Sequence, residues 1–325
     1  MEHDGILRKY LPLAILALVL ALLPLFISNY QAKILIFVGI NAILAMGLCL
    51  LMGYAGQISL GHAAFYGIGA YASAIMTTKY GFSVWLGFLA AILLSGLVAL
   101  LIGMPSLRLK GHYLAMATLG FGEIMTVLFV ETDTLTGGPE GIVSIPPISI
   151  GRFIFTTSQH YYYLVWGIAI VLFVIALNII YSRVGRALRA LHGSEIAAQA
   201  MGINTSKYKI QIFVLSAVYA GIAGSLYAHL VNFINPTPFT LTYSIVLVTI
   251  VVIGGMSSIW GAVAGSFVLT LLPEYLRAFQ EYNLIIYALI LVLMMIFMPQ
   301  GLVPGLMGLI ARLKSGQALG GKSET

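Results

Sequence analysis

The stretch SRVGRALRALHGSEIAAQAMGINTSKYK, Ser182 to Lys209, is the one long polar interruption in the second half of a chain otherwise built of apolar runs. It carries Arg183, Arg186, Arg189, Lys207 and Lys209 against a single acid, Glu195. The positive-inside rule puts such a stretch on the cytoplasmic side of a membrane, and that choice orients the rest of the chain. Arg186 to His192 reads as one helix, Gly193-Ser194 as its break, and Ser194 as the cap of a second helix from Glu195 to Met201. Gly202 supplies the stop, in the left-handed conformation that ends many helices. Residues 182–209 therefore read as a rigid knob.

A basic loop lying on anionic headgroups would have this charge, and so would a docking element for a cytoplasmic protein. Ala197, Ala198, Ala200 and Gly202 leave a narrow surface suited to a partner's groove, where a lipid-binding helix would present Phe, Trp or Leu. The small residues favour docking.

With 60% hydrophobic residues, 8% charged residues and a mean hydropathy of +1.02, the chain is an integral membrane protein. Its longest polar stretches are too short for an independent core, so residues 1–325 read as one transmembrane domain. The net charge of +6 sits at span ends, which argues against nucleic acid as a partner. Cys49 is the only cysteine, so no disulfide or cysteine-based metal site is expected within the chain. The histidines are dispersed and no HExxH or GxSxG occurs, so no enzyme is expected. Gly316 to Ser323, GQALGGKS, satisfies the phosphate-loop pattern but lacks the strand and helix that would aim its amides at phosphate.

Leu11 to Ile27, behind Arg8 and Lys9, lacks small residues at a cleavage site and reads as a retained first span. Further apolar runs cover 34–52, 61–78, 84–103, 112–130, 161–181, 210–231, 241–272 and 283–298. The run 241–272 is too long for one upright helix and is broken at Gly254-Gly255-Met256-Ser257-Ser258. If it crosses twice, or enters and returns, 12 of the 16 basic residues lie inside (8, 9, 108, 110, 183, 186, 189, 207, 209, 312, 314 and 322). A single crossing would leave 9 inside against 7. The expected fold is an all-α polytopic bundle of about 8–10 membrane segments, both termini cytoplasmic and residues 131–160 an external loop.

The segment GYAGQISLGHAAFYGIGAYAS at 53–73 has far more glycine than a lipid-facing helix needs. It implies close packing, and it places Gln57, Ser59 and His62 where the backbone is open to unwinding along a translocation path. Glu123 lies mid-span in 112–130, where an acid costs about 2.5–3.5 kcal/mol on insertion scales. It is expected to face the bundle, with His62 and His112 as candidate partners or with a wet cavity. GGMSSIWGAVAG at 254–265 reads as a packing interface, and Ala217, Gly221 and Ser225 place the span 210–231 at the centre. LTGGPEG at 135–141 is turn chemistry whose acidity would suit a soluble partner arriving from outside.

Together with LRLKGHYLAMATLGFGEI at 107–124, RALRALHGSEIAAQAMGIN at 186–204, VVIGGMSSIWGAVAG at 251–265 and MPQGLVPG at 298–305, these segments resemble the permease subunits of bacterial branched-chain amino acid ABC importers. The likeness is to the longer of two paralogous permeases and covers nearly the whole chain. SEIAAQAMGI resembles the importer coupling motif, EAA followed three residues later by glycine, although Ile196 sets Glu195 one position out of register. The resemblance implies coupling to an ATPase through Arg186, Arg189, Glu195, Ala197, Ala198 and Gly202. It implies a second permease subunit, two cytoplasmic ATPase subunits that bind ATP and Mg, a periplasmic solute-binding protein, and the inner membrane as the site of action. The implied cargo is a branched-chain or other hydrophobic amino acid; relatives that carry urea, short amides or other amino acids leave that open. A different class, a proton-coupled secondary transporter with Glu123 as the proton carrier, would need no knob.

Overall fold

The computed structural model describes residues 2–298 apart from 108, 110, 152, 156 and 277–282, together with 301–303 and 305. Gly316 to Ser323 lie outside the described residues, as do Arg108, Lys110, Arg152, Arg277, Arg312, Lys314 and Lys322 among the charges that set the orientation. The architecture is all-α. In order come α1 (Glu2–Leu22), α2 (Asn29–Cys49), α3 (His62–Thr78), α4 (Val84–Ser106), α5 (His112–Glu131), the short α6 (Asp133–Thr136), α7 (Ser158–Tyr181), α8 (Arg183–Gly193) and α9 (Glu195–Ala200). They are followed by α10 (Thr205–Val231), α11 (Leu241–Gly254), α12 (Ile259–Leu276) and α13 (Asn283–Phe297). A two-residue ladder, Ser149–Ile150 against Phe153–Ile154, interrupts the loop between α6 and α7.

Among the described residues six helices, α2 with its terminal turn, α4, α5, α7, α10 and α12, are long and apolar enough to cross a membrane by length and composition. The apolar stretch of α2 is 83% buried and that of α10 67%, against 28% for α4 and α5, so α2 and α10 are central and α4 and α5 peripheral. Apolar burial does not drive helices together in lipid; close van der Waals fit and interhelical hydrogen bonds do. A Cβ at Gly69 of α3 would run into the backbone of Gly221 in α10, and one at Gly224 into the Tyr66 carbonyl. Ser225 is fully buried and Ala217 nearly so, as expected of a central span. The Tyr219 hydroxyl donates to the Leu172 carbonyl at 2.7 Å and Trp166 Nε1 to the Leu35 carbonyl at 3.1 Å, tying α10 to α7 and α7 to α2.

The run 241–272 resolves into two helices, α11 of 14 residues and α12 of 18, rather than one long span. They pack face to face: a Cβ at Gly254 would strike the Gly261 carbonyl, and one at Gly265 the Ile250 carbonyl. Their turn sits at the foot of α2, where Cys49 Sγ donates to the Met256 carbonyl at 3.4 Å and the Tyr54 hydroxyl to the Ser257 carbonyl at 3.1 Å.

The loop between α5 and α7 folds back on the opposite end of the bundle. Ile142 pairs with Ile234, and the Thr136 hydroxyl donates to the Phe129 carbonyl at 2.8 Å. His229, nearly fully buried at the end of α10, holds the Pro146 carbonyl through Nδ1 at 2.6 Å. A carbonyl only accepts, so Nδ1 carries the proton, and Nε2 accepts from the Ser73 hydroxyl at 2.8 Å. Ser73 in turn accepts from Ser225 at 2.8 Å.

Gly265→Leu should destabilise the protein by about 1–3 kcal/mol, as overpacking does. Gly167→Leu, on α7 with open space beside it, should be neutral. Thermal unfolding in mild detergent compares the two; equal melting temperatures would mean that α11 and α12 are not in contact through their glycines.

Candidate functional site

α2 ends in a π-helical turn, Leu50–Tyr54, and after Ala55 the chain is non-helical until α3 begins at His62. Gln57, Ser59 and Gly61 of this segment are buried in protein, while Gly56 and Ile58 are exposed. The Leu60 amide donates to the Thr118 hydroxyl of α5 at 3.0 Å and the Ala63 amide to the Ser244 hydroxyl of α11 at 3.0 Å. A Cβ at Gly61 would run into the Thr118 carbonyl, so the chain lies directly against the middle of α5. Gln57, Ser59 and His62 are 4%, 1% and 1% exposed. Both amide atoms of Gln57, the Ser59 hydroxyl and His62 Nε2 find no partner among the described residues. Each buried polar atom left unpaired costs about 1–3 kcal/mol, and such groups are ordinarily met by water or a polar ligand. The unwinding expected from the glycine-rich sequence is present, and it carries a concentrated polar demand into the bundle.

Glu123 departs from expectation. It is exposed on α5 beside Ile124, Met116 and Val127, and forms no hydrogen bond or ion pair with a described residue. His62 is buried and His112 lies eleven residues away, about 16 Å along the helix. The reason is helical phase: Leu114, Thr118, Phe121, Gly122 and Phe129 face the bundle, which turns Glu123 to the face that the described residues leave uncovered.

The polar knob is two helices. Ser182 caps α8 by accepting from the Val184 amide at 3.1 Å, three residues before the expected start. Ser194 caps α9, accepting from the Ala197 amide at 3.3 Å. Gly202 ends it with φ +80°, the left-handed stop. Leu188 and Leu191 seat α8 on the bundle, and Arg183, Arg186 and Arg189 point away from it. Glu195 pairs with Lys209 of α10 at 2.7 Å, and Lys209 is 7% exposed. Ala198 is a correction: it is 3% exposed and turned into the knob, so it offers nothing to a partner. In so short a helix only one side faces out, and Ala197 and Ala200 lie on it. Ile196 and Met201, at 75% and 83% exposed, flank them. The signal for them in the sequence is two large apolar side chains in an otherwise polar stretch.

The family described as branched-chain amino acid transport system / permease component matches residues 30–299. The chain is 35% identical to the high-affinity branched-chain amino acid transport system permease protein LivM of Salmonella typhimurium, over 98% of this chain and 80% of the relative. It is 34% identical to LivM of Escherichia coli with the same coverage. It is 28% identical to the permease protein LivH of Salmonella typhimurium over 80% of this chain and 90% of that one. No solved structure matches.

In a Cys49→Ser background, Ser59→Cys should react with a small membrane-permeant thiol reagent, because a hydrated pocket supports the thiolate. Ala70→Cys, fully buried within α3, should not. An unreactive cysteine at 59 would make this region dry packing.

Proposed function

The chain belongs to the family of branched-chain amino acid transport permease components, and from that membership we propose that it forms one half of the pore of an ATP-driven importer carrying branched-chain amino acids across the inner membrane. The other half is a paralogous chain of the LivH kind, to which this chain is also similar. Two cytoplasmic ATPase subunits bind ATP and Mg and supply the energy, and a periplasmic binding protein delivers the solute. The part played by this chain is to bind and gate: closure of the ATPase pair shifts the helices between outward and inward access.

The observation that carries this reading is the knob. Ile196 stands exposed near the start of α9 and Met201 just past its end, and Arg186 and Arg189 are exposed on the preceding α8. Apolar anchors ringed by charge are what a protein groove takes up. A secondary transporter would need no such element and would need its proton carrier enclosed by its own helices, which Glu123 is not. The uncovered face of α5 fits instead against the paralogous permease, with Glu123 lining the solute path between the two chains and Gln57, Ser59 and His62 behind it. Leaving that carboxylate in lipid would be costly; a partner chain and a wet path relieve it.

Met201→Glu should weaken retention of the ATPase chains by at least about 30-fold, the scale of a 2 kcal/mol anchor, with the permease still inserted at normal levels. Co-purification in mild detergent and solute uptake in the same membranes read this out; wild-type retention would return the knob to a lipid-facing loop. Glu123→Gln should keep most uptake and Glu123→Leu should lose it, since the amide can still hydrogen-bond. Equal uptake in both would remove Glu123 from the path. Cysteines at Arg189 and Pro139, each in a Cys49→Ser background, should label from the cytoplasmic and external sides respectively; the reverse would invert the whole orientation.

A further inference from the structure

α8 does more than carry charge: its last turn touches the unwound segment. A Cβ built on Gly56 would meet His192 at 3.3 Å from Nδ1, 3.4 Å from Cγ and 3.6 Å from Cα. Gly56 has φ +66°, a conformation that a side chain would strain. The imidazole and backbone of His192 therefore lie beside the Gly56 backbone, with no side chain of residue 56 between them. Both sides are anchored. Leu188 and Leu191 bury α8 against the bundle, and the Glu195–Lys209 pair fixes the start of α9 to the base of α10.

Beside this contact lies a small polar cavity of about 100 Å³, lined by Gln57, His192, Glu195 and Lys209 together with Gly111 and Leu114. Gln57 follows Gly56 directly, is 4% exposed, and has both amide atoms unpartnered. Any rotation about the Gly56 backbone turns the Gln57 side chain, and Gln57 adjoins this cavity.

We propose that the His192–Gly56 contact is the joint through which movement of α8 and α9 reaches the unwound segment, with Gln57 as the side chain repositioned and Ser59 and His62 following it. This rests on the reading of α8 and α9 as the ATPase-docking element, and it assigns to His192, Gly56 and Gln57 a positioning role in gating. His192 is not part of the docking surface.

The test uses the assembled complex in proteoliposomes. In His192→Ala the ATPase chains should co-purify as in wild type and ATP should still be hydrolysed, while uptake per ATP falls at least about threefold, the lower range for coupled residues. Gly56→Ala should do the same by pressing on the ring. The double variant should be no worse than the poorer single one, because both break one contact. Wild-type uptake per ATP in His192→Ala would overturn the proposal even if Gly56→Ala failed to fold. So would loss of the ATPase chains in His192→Ala, which would place the residue in docking. Failure of the docking reading itself would appear separately, as wild-type ATPase retention in Met201→Glu.

Discussion

Hydrocarbon offers no hydrogen bonds, so a chain that leaves the helix inside a membrane must have its amides met by its own protein or by trapped water. Residues 55–61 impose that condition on everything around them. The Thr118 hydroxyl answers the Leu60 amide, the Ser244 hydroxyl answers the Ala63 amide at the start of α3, and Gly61 allows α5 to approach at backbone distance. The π-helical turn before the break is what remains of α2 as its ladder widens, a feature that often marks functional segments. What the backbone obtains, the side chains of Gln57, Ser59 and His62 do not. Their unmet demand makes the same stretch suited to passing a polar molecule.

Such a segment is useful only if the scaffold around it is stiff. Here the stiffness comes from small residues. Gly69 against Gly221, and Gly254 against Gly261 and Gly265, bring helix backbones together so closely that a single methyl group cannot enter. Tyrosine and tryptophan donors to backbone carbonyls then lock the neighbours in register, as Tyr219 and Trp166 do. Packing of this kind has discrete alternatives rather than a continuous give, which suits a machine that must be open to one side or the other.

Much of this could be read from the residues. The glycines of 53–73 announced the break, Ser194 and Gly202 marked both ends of α9, and the Gly254–Ser258 interruption together with the count of basic residues divided 241–272 in two. The errors share a cause. The orientation of Glu123 and of Ala198 depends on which helical face meets which neighbour, and a run of sequence carries a period but not its absolute phase. For Glu123 the proposed covering surface is that of another chain, which no count of this chain's residues contains. For Ala198 the helix is six residues long, too short for periodicity to show which side is inward. Ile196 and Met201 were legible in principle, as apolar residues without an apolar setting.

α10 is 27 residues long, about 40 Å from end to end. At its foot, Lys209 grips Glu195 of the knob; at its head, His229 grips the Pro146 carbonyl of the long loop on the other face. One unbroken rod thus has a handle on each side of the bilayer, and α3 is clipped to its upper part through Ser73 and Ser225. A push on the loop and a pull on the knob act on the same rigid body. On the proposed function, docking of a loaded binding protein outside and closure of the ATPase pair inside are linked by the tilt of this one helix, without a relay of side chains across the membrane.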